Sequence, residues 1–188
     1  MTPIKFDLHN LKSPILIAGL GNIGAEYQLT RHNSGFIFVD QLQSHLQDKG
    51  YEARMISEKL YTTVEFPELK LTLLKPKTMM NLSGKALHEY YRYHHNYQSH
   101  NLVVAHDDLD LMLGDFKINA GKGPRLHNGL RSIEQELGTD FIRIRIGIEN
   151  RNGLPISGLD YVLYKFQPEE FKQLQICLKK IITDRFVF

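Results

Sequence analysis

Apolar residues recur along this chain in two periods, and each change of period marks a change of element. Ile15 to Ala18 form an unbroken apolar run closed by glycines, the pattern of a strand buried on both faces. Between 33 and 48 the apolar positions become Phe36, Val39, Leu42 and Leu46, which lie on one helical face, and Gly50 supplies the stop. Tyr51–Ser57, Leu60–Phe66 and Leu71–Leu74 read as strands, and Ser83 is placed to cap a helix through Ala86, Leu87, Tyr90 and Tyr91. Asn101–Ala105 predicts another buried strand, with polar residues at its carboxyl end. The segment FIRIRIGI alternates strictly, placing Ile142, Ile144, Ile146 and Ile148 on one face and Phe141, Arg143 and Arg145 on the other. A last helix starts at Pro168, with Glu169 and Glu170 in its first turn and Phe171, Leu174, Leu178 and Ile181 as its buried stripe. Strands and helices alternate without repeats or linkers, which predicts an α/β sandwich around one sheet.

Composition narrows the class but not the function. The 188 residues suit one domain, residues 1–188, and 42% hydrophobic with 23% charged residues is ordinary for a globular protein. No apolar run approaches the ~20 residues of a membrane span. The opening MTPIKFDLHNLKSP lacks the pattern of a secretory signal, and a lone Cys177, beside the last helix's apolar stripe, fits a reducing compartment. The expected location is the cytoplasm. A net charge of +2 announces no nucleic-acid partner, but between Lys117 and Arg151 seven basic residues stand against four acidic ones.

Three constellations could carry chemistry. In GLGNIGAEYQLTRHNSG, residues 19–35, Gly19, Gly21 and Gly24 match the dinucleotide fingerprint, with Glu58 as a possible ribose acid. Tyr27, Thr30, Arg31 and His32 nevertheless intervene before the helix, so the glycines serve equally as a tight turn exposing Asn22 at a strand's carboxyl end. His32 stands at the helix start, where the macrodipole should disfavour its imidazolium and suit it to general-base work. The second constellation is HDDLD, residues 106–110, whose carboxylates could orient His32 through Nδ1. An acidic loop is the plainer reading, and a metal set from His106, Asp107, Asp110 and His127 is another, without supporting spacing. The third is Asn22, Asn81 and Asn128, each in a loop context and each able to hold a peptide or an oxyanion. No serine has a nucleophile-elbow setting, which leaves activated water as the nucleophile.

Taken together, GLGNIGAEY–TRHNSGF, LLKPKTMMNLSGKAL, VVAHDDLDLMLG and HNGLRSI followed by IRIGI resemble the bacterial-type peptidyl-tRNA hydrolases, in that family's order, from about Ile15 to Phe171. The resemblance implies a three-layer domain with a twisted mixed β-sheet flanked by helices, monomeric, with no metal and no organic cofactor. It implies hydrolysis of the ester of peptidyl-tRNA, which recycles tRNA from stalled translation, with His32 as general base and Asp107 as its partner. Asn22, Asn81 and Asn128 match substrate-positioning asparagines, Tyr27 and Met80 match residues lining the peptide channel, and Lys117 and Arg145 match tRNA phosphate contacts. A non-catalytic RNA-binding protein of the same fold is the competing reading. Ile23 and Asp108 replace a common proline and glutamate. Arg125 and Leu126 stand where the family has two glycines, so the loop bearing Asn128 is either repositioned or gains a phosphate contact from Arg125. Residues 1–12 form an extension with no assigned role.

Overall fold

β2 (Ile15–Gly19), apolar on both faces, occupies the interior place its composition demands in a seven-stranded mixed sheet. The computed structural model of the chain describes residues 3–8, 13–94, 101–121 and 126–188. In chain order the other elements are β1 (Phe6–Asp7), α1 (Ser34–Asp48), β3 (Arg54–Ser57), β4 (Tyr61–Phe66), β5 (Leu71–Pro76), α2 (Ser83–Tyr93), β6 (Leu102–Met112), β7 (Phe116–Ala120), α3 (Asn128–Leu137), β8 (Ile142–Glu149), α4 (Gly158–Tyr161), α5 (Pro168–Arg185) and β9 (Phe186–Val187). The sheet order is β3-β4-β5-β2-β6-β8-β7. β5, β2, β6 and β8 run parallel, and the pairs β3–β4, β4–β5 and β7–β8 are antiparallel.

Helices cover both faces, giving the three layers expected. Ile17, Val103 and Ile144 pack with Phe38 and Leu42 of α1 and Leu174, Leu178 and Ile181 of α5. Leu16, Leu74 and Val104 pack on the other face with Ala86, Leu87 and Tyr90 of α2 and Leu130 and Ile133 of α3. Each such side chain, fully buried, contributes roughly 1.5–3 kcal/mol. Among the described residues no helix is long and apolar enough to cross a membrane.

Three local expectations need correction. The buried stripe of α1 runs through Gly35, Phe38, Val39, Leu42 and Leu46, while Phe36 is only half-buried. Gly35 takes the innermost place because the helix lies almost against backbone; a Cβ there would sit 2.2 Å from the Ala105 carbonyl oxygen and 2.4 Å from the Leu20 nitrogen. Gly35→Ala is therefore expected to cost about 3 kcal/mol or more of stability, read by chemical denaturation. A loss within 0.5 kcal/mol would show that α1 can retreat freely. Ser83 does not cap α2: it lies within the first turn and its hydroxyl donates to the Met80 carbonyl. HDDLD is not a loop; β6 continues through it to Met112, with His106, Asp107 and Asp108 paired in register to Arg145, Ile146 and Gly147 of β8. Arg143, on the face of β8 opposite the isoleucines, is enclosed. Its guanidinium stacks on Phe141 at 3.8 Å, bonds Glu134 of α3 at 2.8 Å, and is fully buried.

Part of the amino-terminal extension has a structural place. Phe6 and Asp7 pair in parallel with Phe186 and Val187, the Phe6 and Phe186 rings stack at 4.8 Å, and Leu8 is buried.

Candidate active site

Thr30, Arg31, His32, Asn33 and Ser34 are polar, consecutive and all buried between β2 and α1. Burial of this kind costs several kcal/mol unless each group finds a partner. Each does. The Thr30 hydroxyl donates to the Tyr27 carbonyl and the Ser34 hydroxyl to that of Arg31. Arg31 binds both carboxylate oxygens of Glu170. The Asn33 amide accepts from the Asn22 backbone N–H at 2.8 Å and donates to its carbonyl at 3.0 Å. His32 turns the other way, to β6.

There, His32 Nδ1 lies 2.9 and 3.0 Å from the two oxygens of Asp107, and His127 Nε2 lies 3.0 Å from Oδ1. Asp107 is 2% exposed and His32 8%. The hydrogen bonds fix the tautomers. His127 Nδ1 caps α3 by accepting from the N–H groups of Gly129 and Leu130, so its proton is on Nε2 and donates to Asp107. His32 Nδ1 faces the same carboxylate and must also donate, which leaves the Nε2 lone pair of His32 free to take a proton. His106 donates from Nδ1 to the Asp107 carbonyl and stacks edge-on against His127.

Burial works against charge here, and Asp107 decides the balance. Burial alone would lower the pKa of His32, but the charge of Asp107 and its hydrogen bond outweigh it, so the net shift is upward. The expected depression by the helix terminus is overturned, because a carboxylate in contact is stronger than partial backbone charges. Burial would raise Asp107, yet the two histidines hold it well below the usual carboxylate range. His106, with burial dominant and His127 adding to it, is pushed down to about 3 and stays neutral. Cys177 is pushed up to about 11 by burial and by Asp115, which suits a packing residue rather than a nucleophile.

The other candidates gather with unequal closeness. Asn22 is 5% exposed, and its side-chain oxygen accepts the Met80 backbone N–H at 2.7 Å, so only its amide NH₂ remains to donate outward. Met80 is buried, with its sulfur over Gly129, where a Cβ would come within 2.5 Å of it and 3.1 Å of the His127 ring. The structure thus joins Asn22, Met80, His127, Asp107 and His32 in one contiguous network. Asn128 opens α3 beside His127 with its side chain exposed, and Asn81 is exposed in the turn Met80–Leu82. Tyr27 is half-buried at the end of the turn Ala25–Tyr27. Lys117 is exposed on β7 directly opposite Arg145 of β8. Arg145 is not a free cation: it bonds the buried carboxylate of Asp108 at 2.5 Å and lies 3.8 Å from Asp110.

Two residues with clear places in this network, Asn33 and Arg31, escape a reading of residue types, and His127, offered there only as a metal ligand, instead donates to Asp107 and caps α3. The one available signal was the unbroken polar run TRHNS set between two apolar elements. The metal alternative meets a chemical obstacle. Donor atoms of His32, Asp107 and His127 lie within 4.8 Å of one another. To ligate through Nε2, however, His127 would need its proton on Nδ1, where two backbone N–H groups already point. The dinucleotide alternative also fails, since Gly21 lies under the Phe36 ring and Glu58 follows the edge strand β3, away from β2. Leu126 is 97% exposed, while Arg125 lies outside the described residues.

Comparison with known proteins agrees with this geometry. The family model for peptidyl-tRNA hydrolase matches residues 16–185. The chain is 44% identical over 174 residues to a peptidyl-tRNA hydrolase of Geotalea daltonii, covering 89% of this chain and 85% of that one. It is 41% identical over 163 residues to one of Campylobacter fetus, covering 85% and 82%. The crystal structure of peptidyl-tRNA hydrolase from Acinetobacter baumannii superposes with a TM-score of 0.75 at 30% identity, covering 90% of this chain and 85% of that one.

Proposed function

The chain belongs to the peptidyl-tRNA hydrolase family and hydrolyses the ester of peptidyl-tRNA, and from that premise we propose that His32 is the general base of the reaction. The observation that supports this assignment is the doubly donated carboxylate of Asp107, which leaves His32 Nε2 as a proton acceptor. In the proposed step, Nε2 takes a proton from water and the hydroxide oxygen bonds to the peptide's ester carbonyl. The tetrahedral oxyanion then collapses, the bond to the terminal ribose oxygen breaks, and the imidazolium returns the proton to that oxygen. Asp107 stabilises the transient imidazolium. Asn22, whose side-chain oxygen is held by Met80, and Asn128, at the positive end of α3, would hold the peptide and the oxyanion. Asn81 would position water or peptide, and Tyr27 and Met80 would line the path of the peptide. We infer further that the protein acts as a cytoplasmic monomer and that His-activated water suffices without a cofactor.

Lys117 and Arg145 are the proposed phosphate contacts, Arg145 through the guanidinium nitrogens that Asp108 leaves free. Their tests differ. Arg145→Ala would strand Asp108 as an unpaired buried carboxylate and cost ~3–5 kcal/mol of stability, obscuring any effect on binding. Lys117→Ala is the clean variant: KM for N-acetyl-aminoacyl-tRNA should rise, and its log–log dependence on salt should flatten by roughly 0.7–0.9. An unchanged salt slope would remove Lys117 from the RNA surface. The same assay tests the activity, with free aminoacyl-tRNA as the control that should survive. Folded protein that binds tRNA but leaves the acetylated substrate intact would restore the RNA-binding reading.

A further inference from the structure

The turn that carries His32 is held from behind by a part of the chain that no step above uses. Arg31 is 4% exposed, and its guanidinium lies 4.2 Å from the centre of the Tyr161 ring and 5.0 Å from that of Phe166. One terminal nitrogen donates to the carbonyls of Tyr164 and Lys165, and the other to both oxygens of Glu170 at 2.5 and 2.6 Å. Backbone bonds run alongside. The N–H of His32 donates to the Val162 carbonyl at 2.8 Å, that of Arg31 to Tyr164, and that of Phe166 to Leu29, with Thr30 bridged to Lys165. Glu170 in turn receives the Asn150 amide and, as the capping box of α5, the Gln167 N–H. The arrangement locks residues 161–166 into a bed for Thr30–Asn33 and fastens that bed to α5.

Resting on the assignment of His32 as base, we propose that Arg31 and Glu170 are positioning residues for hydrolysis, holding the His32 turn at the distance from β6 at which Nδ1 meets Asp107. A planar fork can hold two carbonyls and a carboxylate at once. A lysine ammonium carries the same charge but cannot reproduce those directions. When the fork goes, the turn keeps its backbone bonds but loses the anchor that orders their acceptors. Catalysis feels that displacement more than binding does, since misplacing a reacting group by about 1 Å can cost ~10²-fold in rate.

The test compares Arg31→Lys and Glu170→Gln with the full-length wild type. Readouts are kcat and KM on N-acetyl-aminoacyl-tRNA, the pH profile of kcat/KM, and melting temperature. Expected are a fall in kcat of about tenfold or more with KM little changed, and an acid limb moved to lower pH as His32 loosens from Asp107. The double variant should lose little beyond the worse single one, as coupled partners do. If Arg31→Lys does not fold, Glu170→Gln, which is isosteric and keeps the capping acceptor, decides the matter. Folded variants with lower melting temperature but wild-type kcat and pH profile would make the pair structural only and overturn the proposal. His32→Ala separates the two assignments. If it is inactive while the clamp variants are fully active, only the clamp is wrong; if it is fully active, the base is wrong.

Discussion

His32→Ala is expected to lower kcat/KM for N-acetyl-aminoacyl-tRNA by about 10³, within the ~10²–10⁴ range of general-base assistance, while leaving a folded protein. The fold should survive because Asp107 is not abandoned: His127 Nε2–H still donates to its Oδ1 at 3.0 Å. Loss of one hydrogen bond to a charged group sets the stability cost at roughly 1.5–3 kcal/mol. Steady-state kinetics and a denaturation curve on the same preparation check both halves. Activity within tenfold of wild type would place the base elsewhere.

Asp107→Asn should be comparably severe for a different reason. Both imidazoles meet Oδ1 and His32 also meets Oδ2, so either placement of the amide sets its NH₂ within 3.0 Å of the donating His32 Nδ1. The ring must then accept at Nδ1 and carry its proton on Nε2, the wrong nitrogen to receive one from water. A loss on the order of 10³–10⁴ in kcat follows. The residual activity carries a second signature. In the wild type the carboxylate raises the pKa of His32 above its ordinary 6.5, against the effect of burial. Wild-type kcat/KM should therefore fall on the acid side of a midpoint above 6.5. Without the carboxylate only burial remains, and that midpoint should move below 6.5. An unmoved midpoint would mean that another group sets the charge of His32. The wild-type contact also leaves a mark on stability. The contribution of His32 is complete below about 6.5 and is lost as pH rises through its higher folded pKa. That of Asp107 is present above its unfolded value of about 3.8 and is lost as pH falls toward its depressed folded value.

The framework of this molecule was legible because burial and periodicity coincide in most of it. The apolar run of β2, the alternation of β8 and the stripe of α5 each admit one arrangement. Legibility fails where polar groups are buried in matched pairs, since hydrophobic pattern cannot distinguish a paired charge from a solvated one. Asp107 and Asp108 read as a loop although they extend β6, and the alternation that set Arg143 opposite the isoleucines gave no sign that Glu134 and Phe141 enclose it. At the site, His32 and Asp107 were legible from their motifs, and their contact agrees with the expectation. The second histidine on the carboxylate was not. Its place depends on the amino terminus of α3 meeting the carboxyl end of β6, a long-range fact of topology that no local window contains.

The pairing of β1 with β9 joins segments far apart in the sequence, and this sets an order of events during synthesis. Phe6 and Leu8 are made long before Phe186, the ring on which Phe6 stacks. Until it emerges, the apolar side chains near residue 6 and the face of Phe38 that Phe186 covers remain in contact with water. A nascent chain stopped short of residue 186 therefore displays an adhesive, unfinished seam, and its closure is a contact of very long sequence separation that is slow to form.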